Sequence, residues 1–248
     1  MDLGLRGRTA IVCGASSGLG LAAAEALAEE GANVAMLARR REELEREANR
    51  IGALAVRGDV TNAADLERLV ERTLQAFGGV DVLVWNSGGP PAGPATAIDD
   101  DLLESAFELL LQPFVRLVRL CLPHLERSEA GRIVCITSVA AKEPTSHLAL
   151  SNTIRPGVTG YAKSLARELG PRGITVNCVA PGRIDTPRMT ELYGEGGPPA
   201  DEIREIPVGR MGTPREFGDV VCFLASARAA YVSGTTLPVD GGMSRGLL

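Results

Sequence analysis

Three glycines after an apolar run make up the part of the sequence best suited to binding a ligand. Residues 10–13 are apolar without alternation, which is typical of a strand buried on both faces of a parallel sheet. Gly14, Gly18 and Gly20 follow in the pattern G-x-x-x-G-x-G, and an alanine-rich helical segment continues over residues 19–30. Glycines permit a tight turn, and the free N–H groups at the start of a helix attract phosphate. The spacing differs from the dinucleotide fingerprint G-x-G-x-x-G, so a plain strand-to-helix turn is the alternative interpretation.

Residues able to contact a ligand also follow several other apolar runs. They are three arginines after residues 32–37, an asparagine after 80–85, a serine after 132–137 and a Pro-Gly pair after 174–180: Arg39 to Arg41, Asn86, Ser138, Pro181 and Gly182. In a doubly wound sheet the carboxyl ends of such strands lie along one rim, where ligands bind. Two of these features have plainer explanations, because the arginines could begin a solvated helix and Ser138 could simply end a strand.

Strands and helices alternate along the whole sequence. Apolar runs predict strands at 10–13, 32–37, 53–56, 80–85, 132–137, 174–180 and 235–239, and helical periods predict helices at 19–30, 99–126, 148–170 and 214–225. Thr61 is a candidate N-cap for a further helix ending at Phe77, and Pro156 predicts a kink or local break. This order predicts an α/β fold, a Rossmann-like doubly wound parallel sheet of about seven strands with helices on both faces.

The alternation continues without a linker, so residues 1–248 are predicted to form a single domain. Residues 183–212 are rich in glycine and proline and longer than an ordinary connection. Connections of this length are often functional, which predicts a lid over the substrate.

Composition and charge exclude several function classes. The net charge is −5 and no basic stripe is present, so nucleic acid is not expected as a partner. The most apolar helical segment, residues 102–125, contains four charged side chains, and the first residues lack the apolar core of a signal peptide. We therefore expect a cytoplasmic protein that does not enter a membrane. The 5 cysteines are widely spaced without a C-x-x-C pair, which predicts reduced, packed thiols and no metal site.

The ordered motifs together resemble the short-chain dehydrogenase/reductase family, and most of all its 3-oxoacyl-acyl-carrier-protein reductase branch. The motifs are the glycine loop of residues 14–20, Asp59-Val60, Asn86-Ser87-Gly88, Ser138, Pro181-Gly182 and Val239-Asp240-Gly241-Gly242. The resemblance covers the whole chain. It implies a dinucleotide-binding domain, a small-molecule or acyl-thioester substrate, and a homotetramer that uses helices 99–126 and 148–170 and the C-terminal strand as interfaces.

The resemblance also implies which residues bind the cofactor. The glycine loop would hold the pyrophosphate, Asp59 and Val60 would meet the adenine, and the Asn86 motif would line the riboses. The full set is Gly14, Ser16, Ser17, Gly18, Leu19, Gly20, Arg39, Asp59, Val60, Asn86, Ser87, Gly88, Pro181, Gly182, Ile184 and Thr186, the last four flanking the nicotinamide. Ala38 stands where an acid would bind a ribose hydroxyl, and Arg39 follows it. An arginine fork suits a 2′-phosphate, which favours NADP(H) over NAD(H).

The catalytic positions depart from the family pattern. Family reductases use a Tyr-x-x-x-Lys pair, a serine on the preceding strand end and an asparagine on the long helix. Ser138 matches the serine, but an ungapped alignment places Ser151 at the tyrosine position, Arg155 at the lysine position and Leu110 at the asparagine position. Serine is far less acidic than tyrosine, and arginine keeps its proton. Arg155 could still bind ribose hydroxyls or an anionic substrate.

Two groups of nearby residues could in principle replace the missing Tyr-x-x-x-Lys pair, but neither does so simply. Tyr161 and Lys163 are two residues apart, so they point to different helix faces and do not replace the pair. His147 lies between Ser138 and Ser151 and could supply a proton, or it could be an exposed loop residue. Two hypotheses remain. The first is an atypical NADP-dependent oxidoreductase acting on a carbonyl or alcohol, with Ser138, Ser151 and Arg155 as its catalytic residues; its acid would be His147, a water held by the two serines, or a group of the substrate. The second is a non-catalytic dinucleotide-binding or regulatory protein of the same fold.

Overall fold

Seven strands form one parallel sheet in the computed structural model, which describes residues 1–246. They are β1 (Thr9–Cys13), β2 (Asn33–Ala38), β3 (Leu54–Arg57), β4 (Val82–Trp85), β5 (Arg132–Ile136), β6 (Thr175–Pro181) and β7 (Thr236–Val239). Their order is β3-β2-β1-β4-β5-β6-β7, and every neighbouring pair is parallel. The order reverses between β1 and β4, the switch point where such sheets bind ligands. The predicted α/β, Rossmann-like fold class is therefore confirmed.

Helices cover both faces of this sheet. The layer on one face contains α1 (Gly18–Glu29), α2 (Arg41–Ile51) and α9 (Pro214–Ala225), and the other contains α3 (Ala63–Phe77), α4 (Asp100–Leu110), α5 (Gln112–Leu125) and α6 (Ala149–Leu169). Residues of β1 alternate between two cores, with Ile11 and Cys13 in one and Ala10 and Val12 in the other. Because both faces are covered, the strand is apolar throughout.

Three local predictions need correction. The helix predicted at 99–126 is two helices, α4 and α5, with a break at Leu111. Pro113 lies in the first turn of α5, where its missing N–H costs nothing, whereas inside one continuous helix it would remove a hydrogen bond. The N-cap of α3 is Asn62 and not Thr61, because the Asn62 side chain accepts hydrogen bonds from Ala64 N at 2.9 Å and Asp65 N at 3.4 Å. Finally, of the kink or local break predicted at Pro156, the break is absent, because α6 continues through this residue.

The segment 183–212 contains two short helices, α7 (Pro187–Tyr193) and α8 (Ala200–Arg204). Its two ends are joined, because Gly212 N donates to Arg183 O at 3.0 Å and Asp185 N donates to Gly212 O at 2.9 Å. The segment therefore begins and ends at the same point of the sheet edge, and forms a loop beyond the carboxyl ends of the strands.

All five cysteines are buried and unpaired, as the sequence predicted. Within residues 1–246, no group of three or more histidine, cysteine or acidic side chains is arranged to hold a metal ion. In the same part of the chain, no helix combines the length and the apolar character needed to cross a bilayer.

Candidate active site

The glycine loop of residues 14–20 forms a cradle at the start of α1, and its three glycine positions cannot accept a side chain without strain or overlap. Gly14 and Gly18 have φ values of 59° and 58°, in the left-handed region that side chains disfavour. A Cβ on Gly14 would lie 2.6 Å from Asn86 Nδ2, and one on Gly20 would overlap the carbonyl oxygen of Gly14. Ser17 is the N-cap of α1 without a side-chain capping bond, and the first turn of α1 contains no acid. Backbone N–H groups at a helix start and the absence of nearby negative charge fit a dinucleotide pyrophosphate.

Asn86 connects this cradle to the end of β4. Its side-chain amide donates to Gly14 O at 3.3 Å across the sheet. The glycine loop and the loop after β4, both expected at the same rim of the sheet, are therefore in direct contact. The bond fixes the distance between the two strand ends on either side of the switch point.

A cavity of about 520 Å³ lies along this rim of the sheet. Every site residue predicted from the sequence lines it except Gly20, which packs against the backbone of Gly14 instead. The lining residues from that prediction are Gly14, Ser16, Ser17, Gly18, Leu19, Arg39, Asp59, Val60, Asn86, Ser87, Gly88, Ser138, Ser151, Arg155, Pro181, Gly182, Ile184 and Thr186. One cavity therefore joins the glycine loop to Ser138, Ser151 and Arg155.

Two arginines define the end of the cavity beside β2. Arg39 Nη1 lies 3.8 Å from Asp59 Oδ2, so these two predicted cofactor residues face each other. Arg40 Nη2 donates to Ser17 Oγ at 2.8 Å and to Ser16 Oγ at 3.4 Å, so it lies directly over the glycine loop. The sequence analysis placed Arg40 among the residues able to contact a ligand but gave the cofactor role to Arg39 alone.

Ser138, Ser151 and Arg155 come together at the opposite end of the cavity. Ser138 follows β5, and its Oγ accepts a hydrogen bond from Ala140 N at 3.1 Å. Ser151 is buried in the first turn of α6, and its Oγ accepts from Arg155 Nε, one turn later, at 3.1 Å. Both hydroxyl hydrogens therefore stay available to donate into the cavity.

Arg155 is a half-buried cation held by backbone and hydroxyl groups. Its Nη1 donates to Thr137 O at 2.9 Å, at the end of β5. Burial lowers the pKa of Arg155 from 12.5 to about 10, and the positive charge of Arg188 acts in the same direction. Arg155 still carries a full charge at neutral pH, so the site places a cation beside two serine hydroxyls.

The other candidates lie elsewhere. Tyr161 packs edge-on against Phe114, with ring centroids 5.4 Å apart, and Lys163 Nζ donates to Gly234 O at 2.7 Å. His147 is exposed, with φ 58° and its carbonyl bonded to Gly93 N, and does not line the cavity. Leu110 is buried in the core. The prediction that Tyr161 and Lys163 do not replace the catalytic pair agrees with these positions.

Besides the predicted Ile184 and Thr186, residues 183–193 supply lining that the sequence analysis did not assign to the site. Arg188 of α7 donates to Pro90 O at 2.8 Å, so it links this segment to the loop after β4. Arg183 pairs with Glu202, and Tyr193 OH donates to Glu202 Oε2 at 2.8 Å. The arginine content of the segment was the available signal for these residues.

Comparisons with known proteins agree with this architecture. Residues 14–244 match the family model described as Enoyl-(Acyl carrier protein) reductase. The 3-oxoacyl-[acyl-carrier-protein] reductase FabG of Vibrio cholerae is 36% identical over 243 residues, covering 97% of this chain and 99% of the relative. Dehydrogenase/reductase SDR family member 4 of Oryctolagus cuniculus is 32% identical and covers 96% and 94% of the two chains.

Solved structures are similar over nearly their whole length. L-Sorbose reductase from Gluconobacter frateurii, complexed with NADPH and L-sorbose, has a TM-score of 0.92 and 33% identity, with 100% of both chains covered. An NADPH-bound short chain oxidoreductase from Pseudomonas aeruginosa PAO1, described as containing an atypical catalytic center, has a TM-score of 0.89 and 31% identity and covers 96% and 97%. This chain belongs to the short-chain dehydrogenase/reductase family.

Proposed function

We propose that the protein is an atypical oxidoreductase that transfers a hydride between NADP(H) and a carbonyl or alcohol substrate, similar to the 3-oxoacyl reductases. The observation that carries this proposal is the single cavity shared by the glycine cradle and the group Ser138, Ser151 and Arg155. NADPH in two solved relatives and 3-oxoacyl reductase among the similar proteins support it. We further propose one dinucleotide-binding domain over residues 1–248, with 183–212 as its lid.

In this proposal the nicotinamide cofactor, when bound, supplies or accepts the hydride. Gly14, Gly18 and the start of α1 hold its pyrophosphate, and Arg39 and Arg40 flank its adenosine end. Two arginines at that end favour NADP(H), because a guanidinium matches a phosphate.

The serines and Arg155 stabilise the negative charge that develops on the carbonyl oxygen. Ser138 and Ser151 donate their free hydroxyl hydrogens, and Arg155 contributes its charge in a partly desolvated cavity, where electrostatic stabilisation is strongest. Arg155 stays charged at neutral pH, and Ser151 relays a proton to the oxygen from water, whose hydroxide is neutralised by a proton from bulk solvent. Such a donor is weaker than a tyrosine, so we expect turnover slower than that of Tyr-x-x-x-Lys enzymes.

The test is to incubate the protein with NADPH and a panel of β-keto thioesters, quinones and small ketones, and to follow loss of NADPH absorbance. We expect turnover with at least one class, reduced about 10²-fold or more in Ser138→Ala, which removes one donor to the oxyanion. The alternative, a non-catalytic dinucleotide-binding protein, is favoured by the loss of the Tyr-x-x-x-Lys pair. Tight NADPH binding without turnover on any member of the panel would support that alternative.

A further inference from the structure

Five arginines line the cavity, and four of them pair with a carboxylate. The pairs are Arg39–Asp59, Arg40–Glu43, Arg183–Glu202 and Arg188–Glu191. Arg155 is the exception, because its hydrogen-bond acceptors among residues 1–246 are the neutral Ser151 Oγ and Thr137 O. A half-buried cation without a counter-charge is costly, so the site lacks an anion that a ligand can provide.

Arg155 also has donors left for that anion. A guanidinium has five N–H groups, and the protein uses one on Nε and one on Nη1. In the described part of the chain nothing accepts from Nη2, and this atom is not among the buried polar atoms without a partner, so it is accessible on a residue that lines the cavity.

Arg188 brings a second guanidinium to the same space. Arg188 reaches from α7 to Pro90 O, and its guanidinium packs closely against Gly89. A Cβ added to Gly89 would lie only 2.7 Å from Arg188 Cζ. Glu191 contacts only Nη1, at 2.9 Å, and is itself well exposed, so it neutralises Arg188 incompletely. Arg155 and Arg188 line the same cavity, and the positive charge of Arg188 contributes, after burial, to the lowered pKa of Arg155.

The position of these two groups indicates which molecule carries the anion. A cofactor pyrophosphate belongs at Gly14, Gly18 and the start of α1, whereas Arg155 lies with Ser138 and Ser151 at the other end of the cavity. We propose that the substrate carries a free carboxylate, bound between Arg155 and Arg188, so that the natural substrates are oxo acids or the corresponding hydroxy acids. This inference rests on the proposed function, because it uses the same site.

The test compares acids with their neutral esters at equilibrium. Short 2- and 3-hydroxy acids and their methyl esters are titrated calorimetrically into the protein, both alone and saturated with NADPH, a state in which a hydroxy acid cannot be oxidised. We expect at least one acid to bind about 10-fold or more tightly than its ester, the ratio expected from a charge-assisted hydrogen bond. In Arg188→Gln the acid should lose about 10- to 100-fold in affinity while the ester is unchanged.

Two further variants separate a specific contact from a general loss of charge. Arg204→Gln, in α8, removes an exposed arginine of the same segment that does not line the cavity, and should leave the acid-to-ester ratio unchanged. Arg188→Lys keeps the charge without the fork and should recover part of the acid affinity.

Several results would overturn the inference: equal binding of acids and esters, no binding of any acid below about 10 mM, or the same loss in Arg204→Gln as in Arg188→Gln. A preference for acids that disappears when NADPH is bound would show that a cofactor phosphate neutralises Arg155 instead. The proposed oxidoreductase function can fail independently of this inference: acids would then bind, but no carbonyl compound would be reduced. Reduction of neutral ketones with no preference for acids would keep the proposed function and reject the carboxylate.

Discussion

Three consecutive arginines have three different environments, which makes cofactor preference testable at single residues. Arg39 faces Asp59 in the cavity and Arg40 lies over the serines of the glycine loop, but Arg41 points along α2 to Glu45, 4.0 Å away. We expect Arg39→Ser to weaken NADPH binding about 10-fold more than NADH binding, because the 2′-phosphate loses a charged partner. Fluorescence titration with both cofactors measures this, and Arg41→Ser is the matched control. Equal weakening of both cofactors would show that Arg39 does not contact the phosphate.

The catalytic role proposed for Ser151 and Arg155 allows a gain-of-function experiment. Ser151 borders the cavity, so a tyrosine there has open space in front of it, and Ser138 is already in place. Ser151→Tyr combined with Arg155→Lys should raise carbonyl reduction by about 10²-fold or more, since a general acid is typically worth 10²–10⁴-fold. Ser151→Tyr alone should gain less, because Arg155 loses its Ser151 acceptor and crowds the new ring. If the folded, NADPH-binding double variant is no faster than the parent, while each single change abolishes parental turnover, Ser151 and Arg155 form a different working site.

At the scale of the elements, the start of α9 should make stability depend on pH. Thr213 Oγ1 accepts from Glu216 N at 3.2 Å and Glu216 accepts from Thr213 N at 2.8 Å, a reciprocal cap. Hydrogen bonds from Arg210, and then from Thr213, lower the pKa of Glu216 from 4.5 to about 2. The stabilisation is therefore fully present above pH 4.5 and declines as the pH falls toward 2.

Thermal unfolding of the parent and Glu216→Gln measures this dependence. At pH 7 the parent should unfold at a higher temperature than Glu216→Gln. The difference in unfolding temperature should shrink steadily below about pH 4.5, as Glu216 is protonated. It should also shrink with added salt, because the Arg210–Glu216 ion pair is exposed. Thr213→Ala should cost about 1 kcal/mol from the lost cap. Glu67→Gln removes an exposed carboxylate without an arginine partner in residues 1–246 and serves as the control. If the difference in unfolding temperature between the parent and Glu216→Gln is constant from pH 7 to pH 3, the lowered pKa of Glu216 is not the cause of the pH dependence.

The same helix shows what a sequence can predict and what it cannot. The bounds of α9 were predicted correctly, because Thr213, Pro214 and Glu216 are local signals that act within one turn. The glycine cradle was also predictable, since its geometry follows from backbone constraints. Arg188 was not, because its contact with Pro90 joins residues 98 apart in sequence through a long side chain. Family resemblance assigned Ser151 and Arg155 to the expected catalytic positions, whereas the missing counter-charge of Arg155 could be read only from the side-chain positions.

For the whole molecule, exposed apolar side chains predict self-association. Leu103 and Phe107 lie one turn apart on α4, and Val115 lies on the adjoining α5, each about 40% exposed. Phe223 of α9, in the opposite helix layer, and Leu237 of β7 are exposed to a similar degree. Exposed apolar groups are typical of interfaces. Two such surfaces, one on α4–α5 and one including Phe223, would give a homotetramer its two kinds of contact. The expected particle contains four chains of 26.0 kDa.

Light scattering at micromolar concentration tests this assembly one patch at a time. Phe107→Glu places a charge in the α4–α5 patch and Phe223→Glu in the other, so each should halve the particle and the double variant should give monomers, because burying an unpaired charge is costly. Val208→Glu, at an exposed residue of the segment 183–212, should leave the mass unchanged. If only one variant reduces the mass, the assembly is a dimer through that patch. A parent that scatters as a single 26.0 kDa chain would reject both interfaces.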